Sequence, residues 1–276
     1  MTDFLKEIIA HKRSEIAALD LRALRHAASQ SPAPRDFRAA VSSSNGSLGK
    51  AGIRLIAELK RASPSKGLLA PDVDLYKTAG IYMENGASAL SVVTDEKYFL
   101  GSLQTLHDLR FVHQATLPLL RKDFLIADEQ IYESRTADAD AVLLIVAALP
   151  DDAQLAGLHT LALELGLTPL VEVHSEAEIE RALRLHDLKM IGINNRDLVS
   201  FTVSLATTER LRPLIPAGIT VISESGIFAA ENVDRLSLAK VDAVLVGEAL
   251  IKAPDIAAKV RELSGLNVQK LEGGLR

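Results

Sequence analysis

With 276 residues and 48% hydrophobic content, the chain has enough apolar mass to bury a large core, which excludes a disordered polypeptide. Its 31 basic and 36 acidic residues leave a formal net charge of −5, so it offers no global attraction to nucleic acid or to an anionic membrane. Cysteine is absent, which rules out disulfides and cysteine-ligated metals.

The N-terminal segment, residues 1–50, opens the chain with MTDFLKEIIAHKRSEIAAL, which places Phe4, Leu5, Ile8, Ile9, Ile16 and Leu19 at helical spacing with charges between them. It lacks the unbroken apolar stretch of a signal peptide, and no later run is long enough to span a membrane, so a cytoplasmic location is expected. A helical extension to about residue 40 is predicted, with SPAPRDF and SSSNGSLGK as loops. After that, short apolar runs recur: IRLIAELK, ALSVVT, LPLLRKD, AVLLIV, TPLVEVH, MIGINN, ITVISES and AVLVGEA. Their β-branched content and length fit buried strands.

The intervening segments read as helices. DDAQLAGLHTLALELG begins with acidic capping residues and ends in glycine, and SEAEIERALRLHD has a serine three residues before Glu178, a capping-box pattern. VDLYKTAGIYMENGA and FAAENVDRLSLAKV follow the same template. Eight strands alternating with helices predict an α/β fold, a (β/α)8 TIM barrel with an N-terminal helical extension, forming one domain over residues 1–276. An open doubly wound sheet is the alternative that the pattern leaves.

A barrel of this kind carries its chemistry at the C-terminal ends of the strands. Those ends read, in order, Glu58 and Lys60 followed by SPSKG; Thr94, Asp95 and Glu96; Lys122; an uncharged VAALP; Glu172 between two valines; Asn194 and Arg196; Glu224, Ser225 and Gly226; Gly247 and Glu248. Any one charge could be a solvated rim residue, and Glu58 with Lys60 could be a plain structural ion pair, since residues two apart on a strand share a face. Glu172 is harder to dismiss, because a carboxylate inside an apolar strand must be paired or protonated. Polar ends on seven of eight strands, with opposite signs converging, point to a site. The glycines after strands seven and eight would let backbone N–H groups approach a phosphate. They could equally just end the strands. The seven histidines show no ligand spacing and are read as surface or packing residues, with no metal expected. No GxxxxGK[ST] or strand-linked GxGxxG is present, so no nucleotide cofactor is expected. The residues alone thus describe a cofactor-free barrel enzyme with acid/base groups and a small phosphorylated anion as substrate.

IAELKRASPSKG, SVVTDEKYF, LLRKDF, LVEVH, IGINNRDL, VISESGI and VLVGEAL, taken together, resemble the indole-3-glycerol phosphate synthases, the barrel enzymes of tryptophan biosynthesis. The resemblance runs from about residue 50 to 252 and touches every strand except the fourth. It implies ring closure, decarboxylation and dehydration of 1-(2-carboxyphenylamino)-1-deoxyribulose 5-phosphate, without a cofactor. It implies Lys122 as general acid, Glu172 as general base, and Lys60 on the substrate carboxylate, with Glu58 and Asn194 orienting these groups. It places Arg196 at the anthranilate end, Glu224 and Ser225 on substrate, and Ser63, Gly226, Gly247 and Glu248 at the phosphate. Phe124 and Leu245 would line the aromatic pocket, with Pro64 and Ser65 in a closing first loop. Contact with other tryptophan-pathway enzymes is an option that the resemblance raises. Two departures stand out: Leu100 in YFLGS, where glycine or a polar residue is expected, and Ala249 in VGEAL, where serine is frequent. Related phosphate-binding barrels, such as phosphoribosylanthranilate isomerases and the α-type tryptophan synthase lyases, use other acid/base sets. A silent phosphate-ligand binder would need none.

Overall fold

All eight apolar runs become strands. The computed structural model describes residues 3–43, 52–64, 67–70, 72–197 and 200–266. Its barrel strands are β1 (Arg54–Leu59), β2 (Ala89–Val93), β3 (Leu119–Lys122), β4 (Ala141–Ile145), β5 (Thr168–Val173), β6 (Met190–Asn194), β7 (Thr220–Glu224) and β8 (Ala243–Val246). Each pairs in parallel with its sequence neighbour, and β8 returns to β1 with Arg54 opposite Ala243 and Ala57 opposite Val246. That last pairing closes the sheet and excludes the open alternative. The strands read as continuous apolar runs because helices cover their outer face while side chains fill the barrel interior. Leu55, Ile56, Leu90, Leu120, Val171, Ile191 and Ile222 are all fully buried. Each such side chain contributes roughly 1.5–3 kcal/mol relative to exposure.

The N-terminal extension comprises three helices among the described residues: α1 (Asp3–Ile16), α2 (Leu21–Gln30) and α3 (Phe37–Val41). The breaks have capping residues at their ends: Asp20 accepts the N–H groups of Arg22 and Ala23, and Asp36 that of Ala39. Caps of this kind are worth about 1 kcal/mol each. The longer helices of the barrel layer are α4 (Leu75–Glu84), α6 (Leu103–Phe111), α7 (Asp128–Thr136), α8 (Asp152–Glu164), α9 (Glu176–Ala182), α10 (Ala206–Leu211), α11 (Ala230–Leu238) and α13 (Ile256–Ser264). Two single turns, α5 (Glu96–Phe99) and α12 (Glu248–Ile251), follow β2 and β8.

The expected cap of α9 forms in part: Ser175 Oγ accepts the Glu178 N–H at 3.3 Å. The Glu178 carboxylate, however, accepts the N–H of His174, one residue before the cap, at 2.8 Å. Leu100 ends α5 in the left-handed conformation with φ 54°, the conformation for which glycine is the usual choice. The neighbouring Gly101 cannot be the residue replaced, because a Cβ there would strike the Val93 backbone.

Candidate active site

A cavity of about 530 Å³ opens at the C-terminal mouth of the barrel, and every strand contributes to its wall. The sequence dictates this, since the strands are largely apolar and all but β4 bring a polar group to the rim at or just beyond their ends. β1 supplies Glu58, with Lys60 just beyond its end. Glu58 is buried, and Lys60 Nζ donates a short hydrogen bond to its Oε1. The two residues form an ion pair, and the pair lines the cavity. Gly247 makes room for it, since a Cβ there would collide with Glu58 Oε1 and stand 3.1 Å from Lys60 Cε and Nζ. This steric reason for Gly247 is one that the sequence did not reveal.

β3 and β5 supply the central contact. Lys122 Nζ donates to Glu172 Oε2 at 3.1 Å and lies 3.5 Å from Glu224 Oε2 at the end of β7. Asn194, at the end of β6, donates from Nδ2 to Glu172 Oε1 at 3.2 Å, and its own Oδ1 accepts the Arg196 N–H. Glu172 and Glu224 are almost wholly buried. Burial alone would push the Lys122 pKa down, but Glu172, Glu224 and Glu58 outweigh it and raise it. Burial would likewise raise Glu172, yet Lys122, His174 and Asn194 hold it below the usual carboxylate range. Glu224 differs: burial, together with Glu172 and Glu58 nearby, lifts it to about 8 against the pull of Lys122. The cluster thus sets an ammonium beside one carboxyl held toward its ionised form and a second pushed toward its protonated form. Glu224 Oε1 has no hydrogen-bond partner among the described residues. It lies over Gly192, where any Cβ would meet it.

Ser225 and Gly226 turn the chain after β7 with φ of 67° and 80°. A Cβ on Gly226 would stand 2.6 Å from Val203, so position 226 needs glycine on two counts. Asn195 holds the turn, donating from Nδ2 to Ser223 Oγ at 2.9 Å and to the Ser225 carbonyl at 3.1 Å.

Of the site residues read from sequence, Glu58, Lys60, Ser63, Pro64, Lys122, Phe124, Glu172, Asn194, Arg196, Glu224, Ser225, Gly226, Leu245, Gly247 and Glu248 all face the cavity. Ser65 lies outside the described residues. Other lining groups were not foreseen. Phe4, Leu5 and Ile8 of α1 reach the cavity, and Phe4 packs edge-on to Tyr98 and Phe201 at 5.7 and 5.9 Å. The only signal for them was the amphipathic stripe of α1, which reads as ordinary core. β4, which lacks a titratable end, supplies Leu143 and Ile145.

The reading of all seven histidines as surface or packing residues is corrected at His174. Its Nε2 stands 3.3 Å from Glu172 Oε1 and its Nδ1 lies 3.1 Å from Glu178 Oε2. Among the described residues, no three His, Asp or Glu side chains are grouped to hold a metal ion.

A family model described as indole-3-glycerol phosphate synthase matches residues 5–263. A protein of that name from Roseiflexus castenholzii is 48% identical over 275 residues, covering 96% of this chain and 99% of the relative. Another of the same name, from Dehalococcoides mccartyi, is 54% identical over 212 residues, covering 76% of this chain and 81% of the relative. Among solved structures, thiamine phosphate pyrophosphorylase from Pyrococcus furiosus superposes with a TM-score of 0.55 at 17% identity, over 81% of this chain and 97% of that one. This last likeness speaks to the barrel alone. The match over nearly the whole chain agrees with the strand-end residues, and the chain belongs to the indole-3-glycerol phosphate synthase family.

Proposed function

We propose that Lys122 and Glu172 carry the acid–base chemistry of this chain, with Lys60 as the second cationic group. The reaction is that of the family: ring closure, decarboxylation and dehydration of 1-(2-carboxyphenylamino)-1-deoxyribulose 5-phosphate to indole-3-glycerol phosphate, a step of tryptophan biosynthesis. The observation that carries the assignment is the 3.1 Å contact between Lys122 and Glu172 inside the cavity.

Ring closure joins the carboxylate-bearing aromatic carbon to the sugar carbonyl carbon. The carbonyl oxygen gains negative charge as the bond forms and takes a proton from the Lys122 ammonium, becoming a hydroxyl. Loss of CO2 returns its bonding electrons to the ring. Lys60 holds the departing carboxylate and supplies the proton with which the hydroxyl leaves as water. Glu172 accepts the proton whose loss completes the indole. The pair is coupled in a useful direction. While Lys122 is charged, Glu172 is a weak base; once Lys122 has given up its proton, Glu172 loses its strongest counter-charge and becomes more basic.

Glu58 and Asn194 orient these groups, Arg196 meets the anthranilate end, and Glu224 and Ser225 take substrate hydroxyls. Phe124 and Leu245 receive the aromatic ring. Ser63, Gly226, Gly247 and Glu248 receive the phosphate, supported by the N-terminal turn of α12, since the first N–H groups of a helix lack intrahelical acceptors. Pro64 and Ser65 belong to the first loop, which closes over substrate. The whole works as one barrel domain with the residues 1–50 extension. No helix among the described residues is long and apolar enough to cross a membrane. With the biosynthetic family this supports a cytoplasmic enzyme acting on a free small molecule.

Indole fluorescence on mixing protein with substrate tests the assignment. Glu172→Gln should lower turnover by roughly 10²–10⁴-fold while the substrate still binds, the range general acid–base catalysis supplies. Turnover within twofold of the parent would remove Glu172 from the mechanism.

A further inference from the structure

We propose that His174, clamped between Glu172 and Glu178, is a positioning residue that sets the orientation of the Glu172 carboxylate toward Lys122. The inference rests on the reading of Glu172 as the base.

The clamp is built from the helix end inward. Ser175 caps α9 and fixes its first turn, which carries Glu178. Glu178 Oε2 accepts the His174 backbone N–H at 2.8 Å and lies 3.1 Å from His174 Nδ1, so it holds both the backbone and the ring of one residue. The other ring nitrogen, Nε2, then stands 3.3 Å from Glu172 Oε1. On the cavity side Lys122 holds Oε2, and Asn194 shares Oε1. The carboxylate of Glu172 is therefore gripped at both oxygens and from two sides. His174 itself is not part of the cavity wall. It acts through Glu172 and touches no substrate.

The charges favour the grip. Burial would push the His174 ring toward its neutral form, but Glu172 and Glu178 outweigh it and lift its pKa to about 10. His174 is thus an imidazolium at neutral pH, hydrogen-bonded through Nδ1 to Glu178 and in ion-pair contact, without a hydrogen bond, through Nε2 with Glu172. The groups facing Glu172 are Lys122 from β3, Asn194 from β6, Glu224 from β7 and His174 from just beyond its own strand. The groups facing His174 are Glu172 and Glu178. An imidazolium beside Glu172 helps keep Glu172 ionised while Lys122 donates its proton.

The sign of the effect follows. Glu172 must be ionised to act as a base, and its depressed pKa sets where activity falls as pH drops. Removing the imidazolium raises that pKa, so the acidic limb of kcat/KM moves to higher pH. The substrate ionises identically for every variant, so the difference between profiles belongs to the protein.

The test is the pH profile of kcat/KM, with kcat and KM measured separately, for the parent, His174→Asn, Glu178→Gln and Glu172→Gln. Asn at 174 keeps a short polar group near Glu178 but loses the Nε2 contact and the charge. The expected result is an acidic limb moved up by about one pH unit in His174→Asn, with kcat lowered about tenfold and KM within about twofold, because orientation is lost and binding is not. Glu178→Gln should shift the limb the same way by less, and it decides the matter if His174→Asn does not fold. Limbs that coincide in parent, His174→Asn and Glu178→Gln, while Glu172→Gln loses turnover, would overturn the clamp and leave the base in place. Full turnover in Glu172→Gln would overturn both the base and the clamp that serves it.

Discussion

Lys12→Met tests how the N-terminal helix is held against the barrel. Lys12 is 2% exposed, and its ammonium lies 2.9 Å from each of Glu15 Oε2, Asp95 Oδ2 and Asp123 Oδ1. Burial opposes its charge, but Asp123 and Asp95 outweigh burial and raise its pKa above the usual 10.5. Met preserves the length and removes the charge. Among the described residues, Asp95 then keeps only the N–H groups of Tyr98 and Phe99 on its other oxygen, with no counter-charge beside a buried carboxylate. Asp123 is better provided, retaining Arg121 at 3.2 Å and Thr94 at 2.7 Å.

Breaking a buried ion pair by removing one partner costs about 3–5 kcal/mol, and the remaining partners of Asp123 place Lys12→Met near the lower figure, about 3 kcal/mol. For a domain of this size that is a fall in Tm of roughly 6–12 °C. Scanning calorimetry at neutral pH measures it. A group whose folded pKa is raised contributes its full stability below its unfolded pKa and loses it as pH rises through the folded value. The difference between parent and variant should therefore be level from pH 6 to 9 and shrink only above the ordinary lysine range. Adding Asp95→Asn to Lys12→Met should recover part of the loss, since no bare charge is left behind. α1 also carries Phe4, Leu5 and Ile8 to the cavity, so KM should rise several-fold in the single variant. A Tm within about 2 °C of the parent would refute the claim that this cluster locks α1 to the barrel.

Three further outcomes are expected. Gly247→Ala should lower kcat/KM at least tenfold, because its Cβ displaces the Glu58–Lys60 pair, while stability changes by less than about 1 kcal/mol; a rate within twofold would show that the pair can shift freely. Leu100→Gly should raise stability by about 0.5–1 kcal/mol in a thermal melt, since leucine occupies a left-handed position there and its side chain is 45% exposed; an unchanged or lower Tm counts against strain at that cap. His159 is buried in the core, and burial holds its pKa down to about 4 against the weaker pull of Asp187. Its contribution is whole above the unfolded value near 6.5 and is lost as pH falls toward 4, so the parent should lose about 2–3 kcal/mol over that window that His159→Leu does not; parallel stability curves would exclude it.

The strands were legible because a parallel strand covered on both faces is an apolar run, and position in the chain then names its end. Most of the rim followed from the same logic: Glu58, Lys122, Glu172, Asn194 and Glu224 interrupt apolar runs at the one place where the fold puts its cavity. The apolar half of the site carries no such mark. Leu143, Ile145 and the α1 residues Phe4 and Ile8 have the same spacing as any core residue, and only the folded packing tells a cavity wall from a core. His174 and Lys12 were obscured for another reason. Their partners, Glu172 and Glu178 for the first and Asp95 and Asp123 for the second, come from other elements or from the opposite side of a turn, and a lone cation next to a helix looks solvated until its carboxylates are placed around it.

These two cations share a physical role. The cavity needs Glu172 ionised and Glu224 held toward its protonated form at close quarters, although both carboxyls are buried. His174 favours the charge on Glu172 from just beyond β5, and Lys12 fixes Asp123, the residue between Lys122 and Phe124, from behind β3. Glu172 and Asp123 each hold their charge with the help of a cation outside the cavity wall, His174 for the first and Lys12 for the second. The prediction that separates this view from simple packing is that charge-removing changes at positions 12 and 174 differ in kind: the first should lower Tm and raise KM, and the second should move the acidic limb of kcat/KM with little change in KM.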